Sequence, residues 1–77
     1  MDYLGKQNIA KQAITQKSPV EIIWKNGKQI YGIPTALAKK DDGQYLIVTT
    51  AGKDGELRIP LAKISLLRRI KKSIFEN

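Results

Sequence analysis

The chain contains no cysteine and no histidine. The first absence excludes disulfides, and the two together remove the usual zinc ligands. Without histidine there is no conventional Ser-His or Cys-His nucleophile system. No apolar run approaches the ~20 residues of a membrane-spanning helix. The opening MDYLGKQNIAKQ has no signal-peptide apolar core. A cytoplasmic protein is therefore expected, and the lack of cysteine is compatible with a reducing compartment. Repeats, low-complexity tracts and linkers are also missing, so residues 1–77 are expected to form one domain. A chain this short buries only about 60% of its unfolded surface. With disulfides and metals set aside, association with further copies is the remaining support for a thin core, and a homo-oligomer is expected.

What the chain does have is positive charge: 14 Lys and Arg against 7 Asp and Glu, a net +7. Such a balance favours polyanionic partners, namely RNA, DNA or an anionic membrane surface. It also serves solubility.

Residues 2–16 read as a helix. Asp2 is a capping residue, and Ile9, Ala10, Ala13 and Ile14 recur at helical spacing. Ser18-Pro19 ends it, because the residue before proline avoids the helical region. From Pro19 the period becomes two. Val20, Ile22 and Trp24 share one face, and Glu21, Ile23 and Lys25 the other. Asn26-Gly27 is the preferred pair for a two-residue hairpin turn. A second strand follows from Lys28, with Gly32 inside it as a bend or bulge at a barrel corner and Pro34 limiting pairing beyond. Lys39–Gly43 is a polar turn, and QYLIVTT a third strand read as buried on both faces. AGKDGE is a second turn, LRIP a short fourth strand, LAK a 3₁₀ turn and ISLLRRI a fifth strand. Residues 66–75 also fit a helix, with Arg68, Arg69, Lys71 and Lys72 on its polar side; the strand is preferred through Ile70, then a short basic tail over 71–77. The fold expected is mainly β: a small five-stranded barrel behind an N-terminal α-helix, with the barrel over 19–70.

Catalysis is not expected. Asp41, Asp42, Asp54 and Glu56 fall in turns, where acidic residues serve turn geometry. Gly27 and Gly32 are followed by Ile33-Pro34 and not by the lysine of a phosphate loop. No cofactor or metal is expected.

The stretch Val20, Ile22, Trp24, Gly27, Ile30, Gly32 resembles the first motif of the Sm-like superfamily, and AKIS loosely echoes the second. Within it, Pro19–Gly32 is similar to the Hfq family of bacterial RNA chaperones. Residues 20–70 also resemble the WYL domain of bacterial transcription regulators, with Pro34, QYLIV and ELRIPLAKI at the matching places. The resemblance implies a helix capping a strongly bent five-stranded sheet. It further implies rings made by pairing strand four of one subunit with strand five of the next. The side chains with which those families bind their ligands do not carry over, so the partner is argued from charge.

Lys63, Arg68, Arg69, Lys71 and Lys72 place five positive charges in ten residues, the best phosphate-binding segment. Lys25 and Lys28 flank one turn, and Lys39 and Lys40 the next; if the turns share an end they form a second basic patch. Tyr31, opposite Ile30, is positioned to stack a base. Trp24 is read as core. The leading expectation is a non-enzymatic binder of RNA or single-stranded nucleic acid, RNA before DNA, through Lys25, Lys28, Tyr31, Lys39, Lys40, Arg68, Arg69, Lys71 and Lys72. The alternatives are a protein-interaction or scaffold module, including a reduced WYL-like regulatory domain, and membrane-surface binding by a helical C-terminus.

Overall fold

A computed structural model describes residues 2–50 and 55–70. One helix, α1 (Tyr3–Gln16), precedes five antiparallel strands: β1 (Val20–Trp24), β2 (Gln29–Lys40), β3 (Gly43–Thr49), β4 (Glu56–Pro60) and β5 (Ile64–Arg69). A 3₁₀ turn, η1 (Leu61–Lys63), joins the last two. The strands form one sheet in the order β4-β3-β2-β1-β5. This is the mainly β, small-barrel architecture expected from the alternation and turn spacing.

Helix α1 starts where Asp2 accepts a hydrogen bond from the Gly5 amide at 2.7 Å, satisfying one of the four unpaired amides of the first turn. It stops at Lys17, which takes a left-handed conformation (φ 54°) while its amide turns back to Ala13 and Ile14. Ala10 and Ala13 are fully buried, with Ile9 and Ile14 packed at the core's margin. The core itself is Val20 and Ile22 from β1, Leu46 and Val48 from β3, Ile59, Leu61, Ile64 and Leu67, closed by the two alanines. Each buried branched side chain contributes about 1.5–3 kcal/mol relative to exposure.

β2 is longer than the sequence suggests. It runs 12 residues through Pro34 and includes Lys39 and Lys40, which were expected in a turn. Its first part pairs with β1 and its second with β3. Pro34 is accommodated because the register shifts between Pro34 and Ala36, a bulge that frees the ladder from needing its missing amide. Gly32 lies just before this bulge. A Cβ built there would collide with Val48 Cγ1 and lie 2.8 Å from the Thr49 carbonyl oxygen. The residue is thus needed for the close approach of β3 where the sheet turns over on itself.

β3 is buried on one face only: Leu46 and Val48 are inside, while Tyr45, Ile47 and Thr49 are half-buried. The reading of burial on both faces is corrected by the helix lying elsewhere, against β2, β5 and η1. Residues 64–69 form a strand, as preferred over the helix. The expected turn over 51–56 lies partly, and the tail from Lys71 wholly, outside the described residues.

Candidate functional site

The β1–β2 turn is built by its own sequence. Gly27 takes φ +92°, and the Asn26 side chain accepts from the Lys28 amide at 2.9 Å. The flanking Trp24 amide donates to the Lys28 carbonyl at 2.8 Å. Trp24 packs at the core's margin, half-buried, with the Lys28 ammonium 5.5 Å from its ring centroid. That is a cation–π distance. The indole read as core therefore keeps an accessible part.

From this turn a run of contacts leads across the molecule. The Lys25 amide donates to the Lys63 carbonyl at 3.0 Å, tying the turn to η1. Lys6 Nζ donates to the Leu61 carbonyl at 3.0 Å, tying η1 to α1. Next to Lys6 on α1, the Gln7 side chain bonds that of Gln44, and a turn earlier the Tyr3 hydroxyl accepts from the Gln44 amide at 3.2 Å. Gln44 stands opposite Lys39, and Gly43 opposite Lys40, in the β2–β3 ladder. The two basic turns sit at opposite ends of β2, yet the bend of the sheet links them through η1 and the start of α1. Lys25, Lys28, Lys63 and Lys39 border this seam, whereas Lys40, next to Lys39 in the strand, faces the other side of the sheet. Lys40 stands 5.8 Å from the Tyr45 ring centroid, whose hydroxyl donates to Asp42 at 2.6 Å.

Lys6, inside the seam, was not foreseen. It is only 5% exposed. Burial and the neighbouring Lys25 charge lower its pKa, against a smaller upward pull from Asp2. Its position in the helix carried no sign of burial, since a lysine at the edge of an apolar stripe is ordinarily solvated.

The arginines are separated. Arg68 pairs with Glu21 on the outer face of β1. Arg69 reaches α1, bonding Gln12 at 3.4 Å and also Gln16. Adjacent strand residues face opposite ways, so the basic run of β5 does not act as one patch. Lys71 and Lys72 lie outside the described residues. Glu21 was also missed: alternation placed it on the outer face, yet it is 3% exposed. Burial pushes its carboxyl up; hydrogen bonds from Tyr31, Arg68 and Gln29 and the Arg68 charge outweigh this and hold it below the usual range. Tyr31 in turn is raised, by its bond to Glu21 first and by that carboxylate's charge.

Among the described residues no group of three or more acidic, histidine or cysteine side chains could hold a metal, and no helix is long and apolar enough to cross a membrane. An open groove of about 400 Å³ lies between the end of α1 and the β2 bulge, lined by Ile14, Lys17, Ile33, Pro34 and Thr35.

No curated protein matches the chain. A family model described as the Spirochaete C-terminal tudor-like domain matches residues 1–70. The match supports the resemblance to Sm-like barrels as a small β-barrel class, without singling out Hfq or WYL. With its five antiparallel strands, its N-terminal helix and a match over all but the last seven residues, the chain belongs to the Spirochaete C-terminal tudor-like domain family.

Proposed function

We propose that this domain binds single-stranded nucleic acid, RNA before DNA, by phosphate contacts along the lysine-bordered seam. Tudor-like domains are non-catalytic modules that bind nucleic acids or proteins. The observation that carries the nucleic-acid choice is the state of the charges. Among the described residues the single ion pair is Arg68–Glu21, so Lys25, Lys28, Lys39, Lys40 and Lys63 have no acidic partner and their charge is available. Lysines of this kind supply sequence-independent affinity by releasing counterions from the phosphate backbone. Of the arginines, Arg69 faces neutral glutamines and keeps its charge. The preference for RNA rests on the likeness to Sm-like barrels.

A fluorescein-labelled single-stranded RNA titrated at about 50 and 200 mM salt tests the reading. Binding should weaken with a log–log slope of about −0.7 for each phosphate neutralised. Lys25→Ala and Lys28→Ala should each make the slope shallower by about that amount. No binding at the lower salt would overturn it. The alternative, a protein-interaction module, is favoured by the groove of Ile14, Ile33 and Pro34 with Lys17 at its rim, whose chemistry suits an apolar anchor beside a carboxylate.

A further inference from the structure

The outer face of β5-β1-β2 carries a row of side chains that the lysine seam does not include. Strand register sets Arg68, Glu21 and Tyr31 side by side, with Glu21 in the middle. Neighbouring strands are about 4.8 Å apart, so the row spans about 10 Å of backbone. The central carboxylate is 3% exposed, whereas Tyr31 is 47% and the Arg68 side chain 63% exposed. Glu21 Oε1 pairs with Arg68 Nε. Its Oε2 accepts from the Tyr31 hydroxyl at 3.1 Å. Gln29 Nε2 donates both to Glu21 Oε2 and, at 3.0 Å, to the Tyr31 oxygen.

Burying a carboxylate is costly, and an ion pair of this kind is weak evidence for stability. What the arrangement provides is orientation. Arg68 spends only Nε on Glu21, and its two terminal nitrogens have no partner among the described residues. Those nitrogens form the planar fork that grips a phosphate with two parallel hydrogen bonds. Tyr31 has its hydroxyl tethered to Glu21 on the neighbouring strand while the residue stays 47% exposed. The next row on this face, Gln29, Ile23 and Leu66, sets Gln29 next to Tyr31 on β2 and an exposed leucine next to Arg68 on β5. Side chains held before a ligand arrives lose less entropy when it binds.

We infer that this row is a nucleotide subsite: the Tyr31 ring stacks one base, the Arg68 fork takes an adjoining phosphate, and buried Glu21 acts as the positioning residue for both. The inference rests on the nucleic-acid reading and gives it a second, geometrically different contact. Because Glu21 already neutralises Arg68, the subsite works through stacking and hydrogen-bond geometry and releases few counterions. The lysine seam does the reverse.

That contrast supplies the test, in the same labelled-RNA titration with the intact chain. Tyr31→Ala should weaken binding about tenfold, while Tyr31→Phe, which keeps the ring, should lose much less. Arg68→Lys keeps the charge and removes the fork; it should weaken binding several-fold. Neither change should alter the salt slope, whereas Lys25→Ala and Lys28→Ala should. Glu21→Gln should weaken binding several-fold in the parent and add nothing in a Tyr31→Ala/Arg68→Lys background, a coupling that a general loss of fold would not produce. Tyr31 and Arg68 are exposed, so their variants report even if Glu21→Gln unfolds. If the parent binds and the Lys25 and Lys28 variants weaken it, but Tyr31→Ala and Arg68→Lys bind like the parent, the subsite is refuted and the nucleic-acid reading stands. If the parent does not bind, both fall.

Discussion

Gly32 has no room for a side chain, since an added Cβ would meet Val48 and the Thr49 carbonyl where β3 crosses close to β2. The Gly32→Ala variant should therefore be destabilised by about 1–3 kcal/mol, the usual cost of overpacking, and its melting temperature should fall by about 4–8 °C per kcal/mol for a domain of this size. An unchanged melting temperature would show that β3 can move away. Glu21 contributes to stability on the acid side. Its folded-state pKa lies below the unfolded value, so its contribution is present above the unfolded carboxylate range of about 4.5. That contribution is lost as pH falls through the lowered folded value. Denaturant unfolding of the parent and of Glu21→Gln as a function of pH should show the acid limb flattened in the variant.

Among the elements, α1 carries the least expected residue. Lys6 lies on the buried side of the helix with one carbonyl for its three donors. Its folded pKa is lowered, so the unfolded state holds the proton more tightly, and stability should rise with pH from the lowered value up to about 10.5. Lys6→Met, similar in shape and uncharged, should abolish that rise and be more stable than the parent at neutral pH, by about 1 kcal/mol. The raised tyrosines act in the opposite sense at the alkaline end: what Tyr31 and Tyr45 contribute is present below about 10 and is lost above it. Comparing Lys6→Met with the parent below pH 10 separates the two effects. In the β1–β2 hairpin, Gly27 at φ +92° has open space around its Cβ position. Gly27→Ala should cost about 1 kcal/mol through backbone conformation alone, leaving RNA binding intact at temperatures where the domain stays folded.

At the scale of the whole molecule, charge and edges govern behaviour. The +7 net charge should make association with RNA fast as well as salt-sensitive, and stopped-flow rates should fall as ionic strength rises. A salt-insensitive on-rate would argue against steering by the seam. β4 and β5 are the terminal strands of the sheet, each paired on one side within the described residues.

The one-dimensional pattern was sufficient for much of this. Period-two alternation in β1, the Asn26-Gly27 turn, the Asp2 cap and the Pro19 boundary are local properties, governed by backbone sterics and by hydrogen bonds a few residues long. They specified a helix followed by five short strands. The basic residues of the candidate site were equally legible as residues. Their grouping was not, because it depends on contacts between segments far apart in the chain. The bend at Gly32 and the bulge after Pro34 carry β2 on to Lys40, and this allows Lys25, η1, Lys6 and Gln44 to meet. Cross-strand register put Glu21 between Tyr31 and Arg68, so that an acid on the face opposite Val20 and Ile22 became buried and one arginine of the basic run was neutralised. Sequence determined which groups exist and which local turns they favour. Tertiary structure alone decided which charges remain free, since burial and pairing are set by what packs across the sheet.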